Sequence, residues 1–478
     1  MRRLALICAF AATAHAEGAR GYGGKIDAAL LGAPATFDPQ AAQTHAELTV
    51  TGLVFDTLYQ TTANGSVEPH LAAGPPVVLA GAAKPVVRIP LRKGVKFSDG
   101  SALTAADIVA SLERLRGGNQ RWVLAPVAAI RAGADELELE LRAQVDVAPL
   151  LALPCTAITP NGKPPGARVV GSGPYTVEAI DRGAGKLVLR AYDNHFAGRP
   201  YLDQLVLHWY DKPEADARQY ELDGAQISAR GVAAFGGTPK YRAYDVESPK
   251  ALLVFVGFGR AHASITGDLD VRRAIDRVLV RNALSTIHSG EKVIATREPV
   301  PVEAGGSALG SADGEGDVAA AQAALRGKQV TTPLEIAVEA SRPDDRDIAE
   351  RVARALAKLG ITANVQVLAA PQFHDRVVRG TTDLWIGQIA APATAPSMWW
   401  SAAFAAGGDD WAARALEHGN LDVGGARKAF AARLPIIPLT FRSVKLWYRT
   451  DVRGLAFDAL GRPCFAELFL SGKPKGRP

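Results

Sequence analysis

Residues 334–368 read LEIAVEASRPDDRDIAERVARALAKLGITANVQVL. The apolar, β-prone run LEIAVEA at 334–340 predicts a strand. Across 345–359, Ile348, Val352, Leu356 and Leu359 fall on one helical face, and Gly360 stands where a helix commonly ends. ITANVQVL, 361–368, then alternates with the period of two that marks a second strand. Strand, helix and strand at this spacing make a βαβ unit, which requires parallel strands joined by a right-handed crossover. The fold class is therefore α/β.

Toward the N-terminus, SPKALLVFVGFG at 248–259 is a near-continuous apolar run, which predicts a buried strand carrying the chain into a new domain. LDVRRAIDRVLVRNAL, 269–284, predicts a helix with Val271, Ile275, Val278 and Leu279 on its apolar face, and SALGSADGEGDVAAA, 307–321, a loop into a further helix. RGTTDLWIGQIA, 379–390, adds a strand. RLPIIPLTFR, 433–442, is strand-like and punctuated by proline, a plausible return to the first domain. Earlier in the chain, KIDAALLG at 25–32 reads as a strand, and 33–48 as a loop entering a helix that includes Val50, Val54 and Leu58. GSGPYTVEAI and KLVLRAYD, 171–180 and 186–193, read as a hairpin. YLDQLVLHWY is another strand, and 216–221 a short helix.

LRKGVKFSDGSALTAADIVASLERL, 91–115, crowds positive charge around a turn and a helix. Val87, Ile89 and Leu91 alternate as a strand, Ser98-Asp99-Gly100-Ser101 is turn chemistry, and Thr104 with Asp107 forms a capping-box-like start. Ile108, Leu112 and Leu115 share one helical stripe. Asp99, Asp107 and Glu113 interleave with the lysines and arginines, whereas a nucleic-acid groove wants one sign of charge with aromatic residues among the bases. The stretch reads as a solvated strand–turn–helix, not a nucleic-acid surface.

At 478 residues the chain exceeds one minimal core, so two or three domains are expected. With 48% hydrophobic and 22% charged residues it has an ordinary globular composition. Arg2-Arg3, the apolar run from Leu4 to Thr13 and Ala14-His15-Ala16 read as a signal peptide over 1–16, cleaved after an A-x-A site. Cys8 follows Ile7 inside the apolar run, which is not a lipid-anchor pattern. The formal charge is +5, and two of those units are the leader arginines; the remainder does not call for nucleic acid or an anionic membrane as partner. After the leader, Cys155 and Cys464 remain. An exported pair can form a disulfide, but sequence does not establish the geometry.

Bond-making chemistry finds little support. Ser289-Gly290-Glu291-Lys292 matches S-x-x-K, but the K-T-G element that chemistry also needs is missing. There is no G-x-S-x-G, H-E-x-x-H or P-loop, and Gly257-Phe258-Gly259 lacks the third glycine of a dinucleotide fingerprint. The histidines never fall at close metal-ligand spacing, so no metal site is expected. Trp399-Trp400, after Pro396-Ser397-Met398, read as adjacent tryptophans in a loop, either core anchors or stacking surfaces of a ligand cleft. A cleft role predicts that Trp399→Ala or Trp400→Ala weakens binding with stability nearly intact.

The 91–115 stretch also resembles a signature of the family-5 extracellular solute-binding proteins, the group that includes oligopeptide-, dipeptide- and nickel-binding proteins of ABC importers. TFDPQ and LVFDTLYQ, VVGSGPYTVEAIDRG, LVLRAYDNHFAGRPYLDQLVLHW, DVRRAIDRVLVRNAL, IAERVARALAKLGITANVQVL and LPIIPLTFRS resemble further blocks of that family, in the same order across 25–445. The resemblance implies a two-lobed periplasmic-binding-protein fold with a hinge. Lobe one would span 17–250, carrying an extra subdomain at about 51–165; lobe two would span 251–434, and 435–478 would be the return and tail. It implies a monomeric periplasmic protein, not an enzyme, with neither cofactor nor metal. Such a protein closes over a peptide or peptide-like solute and delivers it to an ABC permease. The alternative is a degenerate module acting as sensor or scaffold, or one binding a non-peptide such as a metal chelate.

Peptide binders of the family pair an extended ligand with backbone near the start of lobe one and with a lobe-two strand. Those positions correspond to His45, Ala46 and Glu47, and to Gln388, Ile389 and Ala390. The aspartate that often holds the peptide's α-amino group corresponds to Ala391, which puts free peptides in doubt unless Glu47 substitutes. Arg342, at the turn of EASRPDD, would hold a ligand carboxylate or stand as a solvated loop arginine.

Overall fold

The structure, a computed structural model, describes residues 21–79, 84–284, 293–307, 309, 316–419 and 421–471. The 1–16 leader, the S-x-x-K segment at 289–292, part of the 307–321 loop and the end of the tail lie outside the described residues.

Two sheets organise the chain. The first holds seven strands in the order Ala243–Glu247, Lys445–Arg449, Ile227–Ser228, Lys25–Ala29, Gln204–His208, Lys186–Ala191, Tyr175–Asp181. Its centre is parallel, with Ile26 facing Leu205, while the 175–191 hairpin is antiparallel as its alternation predicts. The second holds six, in the order Val293–Ala295, Ile437–Arg442, Leu252–Phe258, Leu384–Ala390, Leu334–Glu339, Ala363–Leu368. Here the βαβ unit forms as read: Leu334 pairs with Ala363 in a parallel ladder, and the helix Pro343–Ala357 crosses between the two strands. That helix begins before 345 because Pro343 and two aspartates fill its first turn, where a missing N–H costs nothing and negative charge meets the dipole.

Strand Leu252–Phe258 shows why a continuous apolar run was needed. Val254 and Val256 enter one core beneath the sheet, with Ile336, Ile348 and Val352; Leu253 and Phe255 enter another above it, with Ala337 and Phe441. A strand buried on both faces has no polar side to alternate.

The 433–442 segment departs from its expected place. Ile437–Arg442 pairs with Leu252–Phe258 and belongs to the second sheet. The return to the first sheet comes with Lys445–Arg449, which pairs along Ala243–Glu247. Pro438 is tolerated inside the second sheet because the register shifts beside it, between Val254 and Phe255, where a ladder N–H is dispensable. Thus the chain passes between the sheets at 248–251 and again at 443–444. The two passages lie side by side: Ser248 N–H donates to Val444 O and Val444 N–H to Ser248 Oγ, both at 2.8 Å.

A four-stranded antiparallel sheet, Val77–Leu79, Val86–Pro90, Glu136–Leu141, Val127–Ala132, packs on helix Ala105–Arg116 in a subdomain core that also takes in Ala393, Met398 and Leu416 from the second lobe. Thr104 closes a reciprocal capping box with Asp107, and Ile108, Leu112 and Leu115 are buried. Three basic residues in and beside this stretch have counterions: Arg114 forks onto Asp38 at 2.7 and 2.9 Å, Lys93 meets Asp135 and Arg116 meets Glu113. The helix after 44 runs only from His45 to Val54, since Phe55 turns extended; Leu58 packs in the small core instead. Cys155 and Cys464 are both free, and burial pushes the Cys155 thiol up to about 12. Thr104→Ala removes the cap and should lower unfolding free energy by about 1 kcal/mol, read as a shifted urea midpoint at unchanged slope.

Candidate functional site

A cavity of about 420 Å³ opens between the two lobes. The first lobe supplies Thr44, Glu47 and Leu48 from the first turn of helix His45–Val54, and the small subdomain supplies Trp122, Leu153 and Cys155. The second lobe supplies Phe255, Phe373 and Trp385, with the run from Gly387 to Ala391.

Strand Leu384–Ala390 is the decisive element. On one edge it pairs along its whole length with Leu252–Phe258. On the other it meets Leu334–Glu339 only at Leu384 and Trp385. Among the described residues no strand covers that second edge from Ile386 to Ala390, and this is where the cavity lies. Backbone polar groups on an uncovered edge invite an added strand. Opposite Gly257 and Gly387, Trp385 needs space: a Cβ on Gly257 would stand 2.2 Å from Trp385 Cε2, and one on Gly387 2.3 Å from Cζ3. The two glycines leave a slot in which the indole lies edge-on to Phe255.

Charge inside the cavity is heavily paired. Arg342 is no solvated loop side chain: it is buried, its guanidinium 3.0 Å from Glu339 and 3.2 Å from Asp345, stacked 5.1 Å over Phe373. Burial raises the Glu339 and Asp345 carboxyls, with Arg342 pulling the other way; the two carboxylates hold Arg342 above its ordinary value against burial. Gln388 spends its amide on Asp345, at 3.1 and 3.2 Å. Glu47 accepts from the backbone N–H groups of Ala35, Gln43 and Thr44, so three of its lone-pair positions are taken.

Of the residues singled out in the sequence, Glu47, Arg342, Gln388, Ile389, Ala390 and Ala391 come together around this cavity. His45 and Ala46 do not. They sit in a helix rather than an extended segment, Ala46 in the first-lobe core and His45 held neutral by burial, its Nε2–H on Gly461 O at 3.0 Å. Trp399 and Trp400 are likewise corrected. They lie in helix Pro396–Ala406, started by Pro396 at its first position, 2% and 1% exposed, with edge contacts to Phe441 and Phe430. A tryptophan pair so buried anchors the core. The sequence reading missed Trp122, Phe373, Trp385 and Glu339; Gly257, directly across the ladder from Trp385, and Gly387, two residues along its strand, were the available signal for that ring.

A model of the bacterial extracellular solute-binding proteins, family 5 Middle, matches residues 67–411. The chain is 26% identical over 295 residues to the oligopeptide-binding protein AppA of Bacillus subtilis (strain 168), covering 57% of this chain and 53% of that protein. It therefore spans about half the length of the curated relatives it matches. In structure it is similar to AppA in complex with a nonapeptide (TM-score 0.75, 17% identity, 95% of this chain and 100% of that one). It is similar also to AgaA from A. tumefaciens R10 in complex with agropinic acid (0.76, 19%, 94% and 99%). A third likeness is to NikA from Staphylococcus aureus in complex with Ni(L-His)2 (0.74, 15%, 93% and 99%). These likenesses carry the two-lobed periplasmic-binding-protein fold.

Trp400→Ala should cost about 3–5 kcal/mol of stability, read by urea unfolding, and leave ligand affinity of the folded protein unchanged. Arg342→Ala, which strands two buried carboxylates, should cost about 3–5 kcal/mol as well.

Proposed function

The chain belongs to the bacterial extracellular solute-binding proteins of family 5, a family of substrate-binding proteins rather than enzymes, and we propose that it captures peptides or peptide-like solutes for an ABC importer. The observation that carries this reading is the uncovered edge of Leu384–Ala390 inside the interlobe cavity. A ligand backbone laid along that edge gains main-chain hydrogen bonds without dictating its side chains, and Trp385, Phe373 and Trp122 offer apolar surface to what those side chains are.

Closure follows from where the contacts lie. A solute touching helix His45–Val54 and strand Leu384–Ala390 together gains both sets only when the lobes approach, so its binding free energy shifts the population toward the closed state. The two passages at 248–251 and 443–444 are the natural hinge. In this reading the protein works as a monomer in the periplasm after loss of the 1–16 leader, presents its closed form to the permease, and breaks no bond.

The ligand's own charge is constrained. Ala391 brings no carboxylate to the end of the strand, and Glu47 is engaged by three backbone donors, so an ammonium there would lack a ready partner. The same observation supports a second reading, in which the solute is a compact non-peptide such as agropinic acid or a metal chelate. A thermal-shift series separates them. N-acetylated tripeptides should raise Tm more than their free-amine counterparts at equal concentration, a ligand at a hundredfold excess over its Kd adding about 2.7 kcal/mol over the unliganded protein. Ala391→Asp should reverse that order. A response confined to agropinic acid or nickel–histidine would favour the second reading, and flat responses to all of these would sink solute capture.

A further inference from the structure

Asp56, His70 and His195 come from three separate segments and converge. Asp56 lies just beyond helix His45–Val54, His70 follows strand Val67–Pro69, and His195 sits in the turn after Lys186–Ala191. One donor atom from each lies within 4.8 Å of the other two. His70 Nε2 is 2.8 Å from Asp56 Oδ1 and His195 Nε2 is 3.7 Å from the same oxygen. Ligands about 2.0–2.2 Å from one tetrahedral ion stand about 3.3–3.5 Å apart, and these separations bracket that figure.

The hydrogen bonds leave a gap of matching chemistry. His195 Nδ1 is 3.0 Å from Gly198 O, and a carbonyl only accepts, so Nδ1 carries the proton. Nε2 is then turned toward a carboxylate with no hydrogen bond of its own, and Asp56 Oδ2 is also buried without a partner. The Asp56 side chain is 3% exposed and that of His195 6%. An imidazole lone pair facing a carboxylate oxygen is repulsive unless a proton on Nε2 or a metal ion stands between them. A backbone carbonyl on the far ring nitrogen is the usual second-sphere arrangement of a metal-bound histidine, fixing tautomer and ring plane. Phe196 packs on both imidazoles, at 4.9 and 4.8 Å, and walls the site with hydrocarbon.

We propose that Asp56, His70 and His195 form a binding site for a divalent transition-metal ion of the zinc type, separate from the solute cavity. None of the three lines that cavity. Two imidazoles and one carboxylate suit Zn2+, Co2+ or Ni2+ rather than the oxygen-seeking Mg2+ or Ca2+. On binding, His70 gives up its Nε2 proton, which is released to solvent while Nδ1 keeps or takes up the one proton of the neutral ring, and the ion takes its place as the carboxylate's partner. A carboxylate oxygen or a water completes the coordination. The ion would staple the exit of helix His45–Val54 to the 67–70 strand end and the 195 turn.

The test uses tag-free, EDTA-stripped mature protein in equilibrium dialysis against Zn2+, with Co2+ absorption spectroscopy on the same preparation. One Zn2+ per chain, a Zn2+-dependent rise in Tm, and visible Co2+ bands of a low-coordinate nitrogen–oxygen site are expected. His195→Gln keeps an N–H facing Asp56 but offers no imidazole lone pair, and it should weaken Zn2+ binding roughly tenfold or more. His70→Gln, at the more exposed ring, serves as the second variant, and the melting curves without metal report whether each folds. Failure of the wild-type chain to take up Zn2+ or develop the Co2+ bands would overturn the site, as would undiminished uptake by both variants.

Discussion

The cleft exists because the two sheets are joined by a two-stranded ribbon. Glu247 pairs with Lys445 in one sheet, Leu252 with Arg442 in the other, and between them Ser248 and Val444 exchange hydrogen bonds. A single linker would let the lobes wander; a broad shared sheet would fuse them. Two adjacent strands resist twisting apart yet bend at the residues between the ladders, so the lobes keep their facing surfaces in register while the gap between them changes. The cavity's walls come from both lobes and from the small subdomain, and the ribbon is the backbone link between the lobes.

Within that gap the protein spends its charges on itself. Arg342 lies between Glu339 and Asp345, Asp345 also takes Gln388, and Glu47 is turned back to its own helix start. Such self-satisfaction fixes these side chains ahead of any solute, while backbone, aromatic surface and the cavity-lining Arg121, Arg260 and His374 remain as recognition elements. Recognition of that kind reads shape and main chain more than charge, which suits a receptor for a class of solutes.

Much of the architecture was legible because periodicity reports burial directly. The βαβ unit, the doubly buried strand from Leu252 and the capped helix after Thr104 each write their packing into local spacing. What escaped depends on partners far along the chain. The proline-punctuated run 433–442 read as a return to the first domain; only its pairing with Leu252–Phe258, and the register shift beside Phe255 that tolerates Pro438, places it in the second sheet. Trp399 and Trp400 looked available because a pair of adjacent indoles after a proline suggests a loop, yet Pro396 opens a helix and Phe430 and Phe441 close over both rings. The cavity half was read through likeness rather than physics, since nothing local marks Gln388 or Ala390 as lying on an open edge. Asp56, His70 and His195 share no spacing at all; three turns of the fold bring them together.

The ribbon also orders the protein's own making. Lys445–Arg449 sits between Ala243–Glu247 and Ile227–Ser228 in the first sheet, so Ala243–Glu247 has no neighbour until the last tenth of the chain arrives. The second lobe, a continuous insert ending at Arg442, has all its strands by then. A chain emerging from its N-terminus must therefore hold one lobe unfinished, a bare strand edge exposed, while the other completes, and such a vacancy is where chaperones and mispairing compete.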